Sequence, residues 1–381
     1  MTKLINLKQN QKKIPIIDLV CHYRSIQNEI EKVTFDVLSS GHYILGKNVE
    51  AFEEELSKYL GCKNVVSCAN GTDAIVLALK ALDIKPGDEI ITVSHSFFAT
   101  SEAIALVGGI PVFADIREDD FNIDPEKIEA LITKKTKAII PVHLYGQPCE
   151  ISSVIEIAKK YGLYVIEDCA QSIGAKFNGK NVGTFGDIST LSFFPTKNLG
   201  ACGDGGAVIT NDYKLATKIK QLRIHGSSKR YVHDYIGMNS RLDELQAAIL
   251  RIKLPYLDKW NHERYKAAKY YDELFKDVKQ VTTPIVKSNS QHVFHQYTIR
   301  LNQRDFLCEK LREKNIETII YYPVPIHLQS VFSYLGRQKG SLPVTEKICN
   351  EILSLPIYPE ITKDIQEYIV ENIKSILAVG P

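Results

Sequence analysis

The sequence predicts an α/β protein, with a large domain on a mixed, mostly parallel sheet and a smaller C-terminal α+β domain. Helical and strand-like units alternate through the first half of the chain, which favours a sheet covered by helices on both faces. The strand-like units are short, continuous apolar runs, as expected for strands buried on both faces. Near residue 256 the pattern changes to long polar helices and short strands. We therefore predict a large domain over 1–255 and a small domain over 256–381.

Helices in the first half are indicated by apolar residues at helical spacing and by a residue that ends each run. Gly61 and Gly162 end two of these runs, and glycine commonly follows the last residue of a helix. The sequence Lys-Pro-Gly-Asp at 85–88 ends another run, because proline and glycine favour a turn. We predict helices over 49–60, 72–82, 151–161 and 242–253.

Short apolar runs flanked by turn residues lie between and after these helices, and such runs suit buried strands. We predict strands over 89–93, 111–114, 138–142, 164–168 and 207–210. In the C-terminal part we predict a polar helix from 256 through 276, a strand over 296–300, and helices over 304–314 and 345–354.

Composition and charge exclude several classes of protein. With 47 Lys and Arg against 45 Asp and Glu the formal net charge is +2, so no global field favours nucleic acid or acidic membranes. No segment approaches the roughly 20 apolar residues of a membrane-spanning helix. Residues 1–13 are basic but lack an apolar core with a small-residue cleavage site, so we expect no secretory signal. The eight cysteines include no Cys-x-x-Cys pair, which predicts reduced thiols, no metal site and a cytoplasmic protein.

The most informative segment is 192–200, Ser-Phe-Phe-Pro-Thr-Lys-Asn-Leu-Gly, which places a single lysine among aromatic and small residues. The turn-prone sequence Gly-Asp-Gly-Gly follows at 203–206. A lysine in such a setting can lose solvent, which lowers its pKa and lets its amine form a Schiff base with a carbonyl. Lys197 is therefore a candidate nucleophile. The alternative is a loop lysine that points into water.

Asp168 is predicted at the carboxyl end of an apolar strand, where ligands of open α/β sheets bind. A buried carboxylate there can keep the ring nitrogen of a cofactor protonated through charge pairing. The alternative is an aspartate that caps the next helix.

Three further residue groups have a candidate role in the same site. Gly71 and Thr72 open a predicted helix, where free backbone N–H groups and the helix dipole hold a phosphate; a simple turn with a capping residue is the alternative. The hydroxyl of Ser192 could bind the same phosphate. Phe97 follows a strand end and could stack on a flat ring, although a lone aromatic residue is more often part of the core.

The order of these residues, with Asp168-x-x-Gln171 between Phe97 and Ser192, is that expected of a fold-type-I pyridoxal phosphate enzyme. The chain also resembles one family nearly from end to end, the DegT/DnrJ/EryC1/StrS sugar aminotransferases. The resemblance covers residues 14–19, 40–46, 69–74, 167–171, 192–206, 239–248 and 322–329. Each segment alone is weak, but together and in register they are very specific.

The resemblance implies pyridoxal 5′-phosphate as cofactor and three residues that act on its reactive atoms. Lys197 would carry the cofactor in a Schiff base and later move the proton between the substrate carbon and the cofactor, a task suited to a lowered pKa. Asp168 would pair with the pyridinium nitrogen, and Gln171 would hydrogen-bond the phenolic oxygen.

The resemblance also implies binding residues and an assembly. Gly71, Thr72 and Ser192 would hold the cofactor phosphate. Asn239 is similar to a residue that reaches the phosphate from the partner subunit, so the active unit should be a homodimer. Segments near the sugar nucleotide supply the tentative substrate contacts His42, Tyr43, Tyr321 and His327. For these four residues ordinary packing or surface exposure stays the alternative.

The resemblance implies transamination, because the chain keeps Lys197 where the dehydratase branch of the family has histidine. We expect an amino group to pass from L-glutamate to a keto group of a dTDP- or UDP-linked deoxyhexose, in amino-sugar biosynthesis. The segments 143–148 and 325–329 favour a 3-keto over a 4-keto acceptor. An aminated non-sugar ring as product and a non-catalytic regulatory relative also stay open. One departure is Cys202, where relatives often carry a larger residue.

Overall fold

The computed structural model describes residues 13–380 and confirms the predicted α/β class. Residues 1–12 and residue 381 lie outside the described part, and so does nearly all of the segment for which we expect no secretory signal. The strands are β1 (Asn64–Cys68), β2 (Glu89–Val93), β3 (Ile110–Ala114), β4 (Thr136–Ile139), β5 (Tyr164–Asp168), β6 (Lys176–Phe177), β7 (Lys180–Asn181), β8 (Ile188–Ser192), β9 (Gly206–Thr210), β10 (Ser227–Lys229), β11 (Val232–His233), β12 (Ser290–Gln291), β13 (Tyr297–Arg300) and β14 (Ile352–Leu355).

Seven strands form the central sheet, in the order β1-β9-β8-β5-β4-β2-β3. Neighbouring strands from β3 to β8 pair in parallel, whereas β9 pairs antiparallel with both β8 and β1. All of these strands except β9 therefore point their carboxyl ends to the same edge of the sheet. Since ligands of open α/β sheets bind at that edge, it is where functional side chains are expected to meet.

Helices cover both faces of this sheet, and further helices make up much of the second half of the chain. They are α1 (Leu19–Ser25), α2 (Gln27–Ser40), α3 (Lys47–Leu60), α4 (Gly71–Ala81), α5 (Ala99–Leu106), α6 (Ile151–Tyr161), α7 (Tyr213–Leu222), α8 (Glu244–Lys253), α9 (Leu257–Phe275), α10 (Arg304–Glu313), α11 (Pro343–Glu351) and α12 (Lys363–Val379). Two hydrophobic clusters lie on opposite faces of the sheet. Alternate strand residues supply them, with Ile91 and Val165 in one cluster and Ile90 and Ile166 in the other.

The predicted helices in the first half are present within two residues of their predicted ends, and two of them end at Gly61 and Gly162 as expected. Helices α1, α2, α5, α7 and α12 are not among the predicted helices. In α3, the residues Val49, Phe52, Leu56 and Leu60 are buried, which is the helical spacing that favoured this element.

The C-terminal part has its own hydrophobic cluster around the antiparallel pair β13 and β14. Helices α9, α10 and α12 pack against this pair, with Tyr271, Leu307 and Ile369 fully buried. Helix α9 begins at Leu257, next to the point where the sequence pattern changes. The division of the chain into domains 1–255 and 256–381 stays a prediction.

The predicted helix over 345–354 is wrong at its C-terminal end. Helix α11 ends at Glu351, and the next four residues form β14, in which every residue is buried. Its backbone pairs with β13, for example Leu353 with Ile299. This partner is distant in sequence, so burial and pairing against a far segment override the local helical pattern.

No helix within residues 13–380 combines the length and the apolar character needed to cross a bilayer.

Candidate active site

A cavity of about 600 Å³ lies at the carboxyl-end edge of the central sheet. Loops that follow β1, β2, β5 and β8 line it on one side, and residues of the later chain line it on the other. The predicted site residues along its wall are Gly71, Thr72, Phe97, Asp168, Gln171, Ser192, Lys197 and Tyr321. The fold thus brings together every predicted cofactor contact except Asn239.

The start of α4 forms one end of the cavity. Asn70 caps this helix, because its side-chain oxygen accepts a hydrogen bond from the backbone N–H of Asp73 at 2.8 Å. Gly71 follows, and a Cβ atom at this position would lie 2.7 Å from Cβ of Ser192. Only glycine therefore allows the end of β8 to approach the helix N-terminus. The result is a recess with free backbone N–H groups and a hydroxyl, a suitable place for a phosphate.

Asp168 ends β5 and is 4% exposed. Its Oδ1 accepts a hydrogen bond from the backbone N–H of Ala170 at 3.1 Å, and its Oδ2 accepts one from the hydroxyl of Thr100 at 2.8 Å. Two bonds leave part of the acceptor capacity of a carboxylate unused. Asp168 can therefore receive a further donor from the cavity.

Lys197 lies in the turn after β8, where its backbone N–H donates to the carbonyl of Phe194 at 2.8 Å. The next residue holds this turn in place, since Asn198 Nδ2 donates to Asn261 Oδ1 at 2.7 Å and to the carbonyl of Val293 at 3.0 Å. Burial lowers the pKa of Lys197 to about 8, while the negative charge of Asp168 acts to raise it. Neither a hydrogen bond nor an ion pair joins this amine to another described residue, although part of the side chain faces the cavity.

Gln171 links the cavity to the loop after β4. Its Oε1 accepts a hydrogen bond from the backbone N–H of Tyr145 at 2.7 Å, and its Nε2 donates to the hydroxyl of Tyr322 at 3.2 Å. The first bond fixes which end of the amide is the donor. The Nε2 group therefore keeps one N–H for a ligand.

Two aromatic residues predicted for the site lie at its rim. Phe97 is 57% exposed, and its ring centroid is 6.0 Å from that of Tyr322. Tyr321 lines the cavity beside Tyr322, and its backbone carbonyl accepts a hydrogen bond from the hydroxyl of Tyr145. Phe97 is thus a surface aromatic in this chain rather than a core residue.

The far wall contains residues that sequence reasoning missed. His295 and Gln296 both line the cavity. Since Asn198 Nδ2 donates to two oxygens, its Oδ1 accepts from Nδ1 of His295 at 3.2 Å. Nε2 of His295 is then the unprotonated nitrogen, and burial holds the pKa of this histidine well below its ordinary value. No local pattern marks His295 and Gln296, whereas Tyr322 belongs to the matched segment 322–329.

Two tentative substrate residues, His42 and Tyr43, do not line this cavity. His42 contacts a second cavity of about 610 Å³, beside α2 and the start of α3. Two carboxylates line that cavity, Asp36 and Glu244, and Glu244 is already bound by the backbone N–H groups of Gly46, Asn48 and Val49. Glu244 therefore fixes the start of α3, and we assign no chemistry to the second cavity.

The third tentative residue outside the cavity, His327, is buried and fully engaged within the fold. Its Nδ1 lies 2.7 Å from the hydroxyl of Ser94, and its Nε2 lies 3.2 Å from a carboxylate oxygen of Glu346. The first contact joins this segment to the end of β2 and the second joins it to α11, which does not favour a direct substrate contact. Asn239 is exposed and bridges to Ile224 through its backbone, outside the cavity of its own chain.

One cluster of potential metal ligands occurs within the described residues: His143, Glu167 and Cys169, all buried, with ligand atoms within 4.8 Å of one another. The histidine Nδ1 accepts from the backbone N–H of Cys149, so its Nε2 donates to Glu167 at 3.1 Å. Backbone N–H groups of the loop 183–186 bind the same carboxylate. Hydrogen bonding within the scaffold accounts for this cluster.

The chain is similar to known proteins over most of its length. The sequence pattern of the DegT/DnrJ/EryC1/StrS aminotransferase family matches residues 24–374. A relative from Geobacillus stearothermophilus, described as a pleiotropic regulatory protein, is 50% identical over 362 residues, which cover 94% of this chain and 97% of the relative. A UDP-N-acetyl-3-dehydro-alpha-D-glucosamine 3-aminotransferase from Acidithiobacillus ferrooxidans is 46% identical, with 92% of this chain and 94% of the relative covered.

The fold is also similar to solved structures. The crystal structure of DesV from S. venezuelae, in complex with a ketimine intermediate, superposes with a TM-score of 0.93 and 38% sequence identity. The superposition covers 95% of this chain and 98% of that chain.

Proposed function

The chain belongs to the DegT/DnrJ/EryC1/StrS aminotransferase family, and we propose that it transfers an amino group from L-glutamate to the 3-keto group of a nucleotide-linked deoxyhexose. Enzymes of this family use pyridoxal phosphate. The observation that carries the proposal is that Lys197, Asp168 and the N-terminus of α4 with Ser192 meet at one cavity. An amine nucleophile, a carboxylate with spare acceptor capacity and an anion site are the groups that this cofactor needs.

Several contacts of this chain fit the cofactor. When bound, pyridoxal phosphate carries the amino group between donor and acceptor and withdraws electrons from the carbon that exchanges its proton. The backbone N–H groups of Gly71 and Thr72, with the hydroxyl of Ser192, would hold its phosphate. Phe97 would cover one face of its ring.

Two side chains would orient the polar edge of the ring. Asp168 would accept a hydrogen bond from the protonated ring nitrogen, using acceptor capacity that Thr100 and Ala170 leave free. Gln171 would donate its remaining Nε2 hydrogen to the phenolic oxygen. Both side chains are held by hydrogen bonds within the protein, so the ligand meets groups already in place.

Lys197 would bind the cofactor covalently through Nζ and would later move the substrate proton. A lysine pKa of about 8 keeps a sizeable fraction of the amine unprotonated near neutral pH, which is the form that attacks a carbonyl and accepts a proton. The hydrogen bonds of Asn198 hold the turn that carries this lysine. This turn places the amine at the cavity.

The choice of a 3-keto acceptor draws on the sequence and on a relative. Segments 143–148 and 325–329 favour that position, and the relative from Acidithiobacillus ferrooxidans is by its name a 3-aminotransferase. A 4-keto nucleotide sugar is the alternative acceptor. The nucleotide, dTDP or UDP, stays open.

We further propose that the active unit is a homodimer in which Asn239 reaches the cofactor phosphate of the partner subunit. Asn239 is exposed and lies outside its own cavity, as a residue that serves a neighbouring subunit should. Mixing Lys197→Ala protein with Asn239→Ala protein tests this point. Shared sites predict partial recovery of activity in the mixture, whereas independent sites predict none.

The acceptor is tested by recording the visible spectrum of the purified holoenzyme while nucleotide-linked 3-amino and 4-amino hexoses are added separately. The amino sugar that is the true product donates its nitrogen in the reverse half-reaction, which bleaches the absorbance of the lysine-bound cofactor. Bleaching by the 3-amino sugar alone supports the proposal. Bleaching by the 4-amino sugar alone moves the reaction to C4. A protein without visible absorbance even after cofactor addition would refute it.

A regulatory role is the second candidate, because the relative that is 50% identical is described as a pleiotropic regulatory protein. The two roles differ in their need for Lys197. Replacement of this lysine by alanine removes the reacting amine and changes the surface only inside the cavity. If a strain with the Lys197→Ala protein behaves like a strain without the protein, catalysis is favoured. If it behaves like the parent strain, regulation is favoured.

A further inference from the structure

If Asp168 pairs with the cofactor ring nitrogen, as proposed above, we propose that Thr100 is the positioning residue that fixes this carboxylate. Thr100 lies near the start of α5 and is 1% exposed. Its hydroxyl donates to Asp168 Oδ2 at 2.8 Å. No motif in the sequence assigns a function to this threonine, which follows Phe97 by three positions.

The direction of the hydrogen bonds follows from the groups present. An ionised carboxylate only accepts, so the single hydroxyl proton of Thr100 is directed at Asp168. Ser96 Oγ lies 3.4 Å from Thr100 Oγ1, so in the hydrogen bond between these two hydroxyls Ser96 is the donor and Thr100 the acceptor. Both residues are buried, with Ser96 3% exposed. A short directed chain of hydroxyls therefore ends on the oxygen of Asp168.

This chain removes a rotational freedom that the aspartate otherwise keeps. The terminal torsion of an aspartate is broad, because rotation of a carboxylate about its sp³–sp² bond meets only small barriers. The N–H of Ala170 holds Oδ1, and Thr100 holds Oδ2. With one donor on each oxygen, the carboxylate plane has one orientation relative to the cavity.

The same segment also carries Phe97, so its residues would act on two parts of one ligand. Phe97 lines the cavity from residues 96–100, and Thr100 reaches Asp168 from the same five residues. Strand β4 lies between β2 and β5 in the sheet, so the Thr100 bond spans the end of an intervening strand. The ring face and the ring nitrogen would thus be positioned by one short piece of chain.

A matched comparison is available within the preceding strand. Thr92 is fully buried, and its hydroxyl donates to the backbone carbonyl of Ile140 at 2.9 Å. Replacement of Thr92 by valine removes a buried hydroxyl of the same kind with no contact to Asp168. The Thr92→Val protein therefore reports the structural cost alone.

The experiment compares Thr100→Val, Thr100→Ser and Thr92→Val holoenzymes with the parent protein. The readouts are the dissociation constant of pyridoxal phosphate, the visible spectrum of the lysine-bound cofactor, and the melting temperature with and without cofactor. Valine keeps the shape of threonine and lacks the proton donor, so Thr100→Val should weaken cofactor binding about tenfold, the usual effect of losing a hydrogen bond to a charged group. It should also alter the spectrum. Thr100→Ser should stay within about threefold of the parent, and Thr92→Val should change stability only.

A double-mutant cycle with Asp168→Asn tests the path of the effect. If Thr100 acts through the carboxylate, Thr100→Val should add little to the loss already caused by Asp168→Asn. A full, additive tenfold loss in that background would overturn the inference.

The remaining outcomes separate this inference from the proposed function. An unchanged spectrum and cofactor affinity in Thr100→Val, together with a clear change in Asp168→Asn, would refute the role of Thr100 and leave the site intact. No change in either protein would refute the assignment of Asp168 and with it this inference. Should Thr100→Val fail to fold, Thr100→Ala removes the same donor without placing a methyl group beside the carboxylate, and the same criteria apply.

Discussion

Glu167 and Asp168 are adjacent at the end of β5, yet they serve opposite sides of the sheet. Glu167 is fully buried and accepts hydrogen bonds from the backbone N–H groups of Gly183, Phe185 and Gly186 and from Nε2 of His143. Asp168 accepts two bonds and lines the cavity. Burial acts to raise the pKa of Glu167, but the hydrogen bond from His143 and the backbone donors together hold this pKa below its ordinary value.

Two lysines show the same contrast. Lys253 is buried, and its amine donates to the carbonyl of Gly200 at 2.6 Å. Lys197 has no such partner among the described residues and faces the cavity. Burial lowers the pKa of both amines. A shifted pKa therefore does not distinguish a functional lysine from a structural one here.

The difference between the two sides is spare bonding capacity. On the scaffold side the carboxylate of Glu167 accepts four hydrogen bonds and the amine of Lys253 binds a backbone carbonyl, as is usual for buried polar groups. On the cavity side Asp168 and Lys197 keep capacity for a ligand. Paired substitutions should therefore affect chemistry on the cavity side and stability on the scaffold side.

The largest separation is expected for the lysines. Lys197→Ala should lower turnover by at least about 10³-fold with little change in stability, because the amine that attacks and moves the proton is lost. Lys253→Met should lower the free energy of unfolding by about 1–3 kcal/mol, because the Gly200 carbonyl loses a charged donor. Steady-state kinetics and urea unfolding measure the two effects. Normal turnover in Lys197→Ala would contradict the proposed mechanism.

The carboxylates should show the next largest effect. Asp168→Asn should lower kcat by about 10²-fold, the size of effect seen when one electrostatic contact to a reacting group is removed. Glu167→Gln should instead cost about 3 kcal/mol of stability, because an amide N–H₂ would face backbone donors in a buried site. Kinetics at saturating cofactor and thermal unfolding separate the two. A stable but inactive Glu167→Gln protein would show that Glu167 takes part in the reaction, and would contradict its assignment to the scaffold.

Two glycines extend the contrast to the backbone. A Cβ at Gly71 would lie 2.7 Å from Ser192 Cβ in the phosphate recess, and one at Gly186 would lie 2.6 Å from the carbonyl of Val165 on the Glu167 side. Each alanine should cost about 1–3 kcal/mol of strain. Gly71→Ala should also weaken cofactor binding about tenfold, whereas Gly186→Ala should not. Equal cofactor affinities for the two proteins, measured by absorbance titration, would contradict the phosphate assignment.

The smallest effect concerns the pH dependence of amine reactivity. In cofactor-free protein, acylation of Lys197 by a small neutral reagent should rise with pH and level off above a pKa of about 8, because only the unprotonated amine reacts. Since the charge of Asp168 raises this pKa, Asp168→Asn should move the midpoint to lower pH. Peptide mass spectrometry gives the modified fraction at each pH. A midpoint near the ordinary lysine value of about 10.4 would show that the amine is not desolvated.

The helices and strands that could be predicted are those whose sequence pattern lies within the segment itself. Helix α3 and strand β5 follow from apolar spacing and bounding glycines, and the fold class follows from their alternation. Lys197 stood out because it is a single lysine in an apolar, glycine-flanked segment. His295 could not be found in this way, because it enters the site only through contacts of Asn198 with a distant part of the chain.

Fold class, family and the residue types available for chemistry could all be read from the sequence, because periodicity, turn residues and ordered motifs are properties of short segments. The tertiary structure decided that Glu167 binds the loop 183–186, that His295 enters the site, and that His327 is hydrogen-bonded to Ser94 and Glu346. It also decided that residues 352–355 form a strand. The physical reason is that the final position of a polar or apolar group depends on which distant segment satisfies its hydrogen bonds and covers its surface.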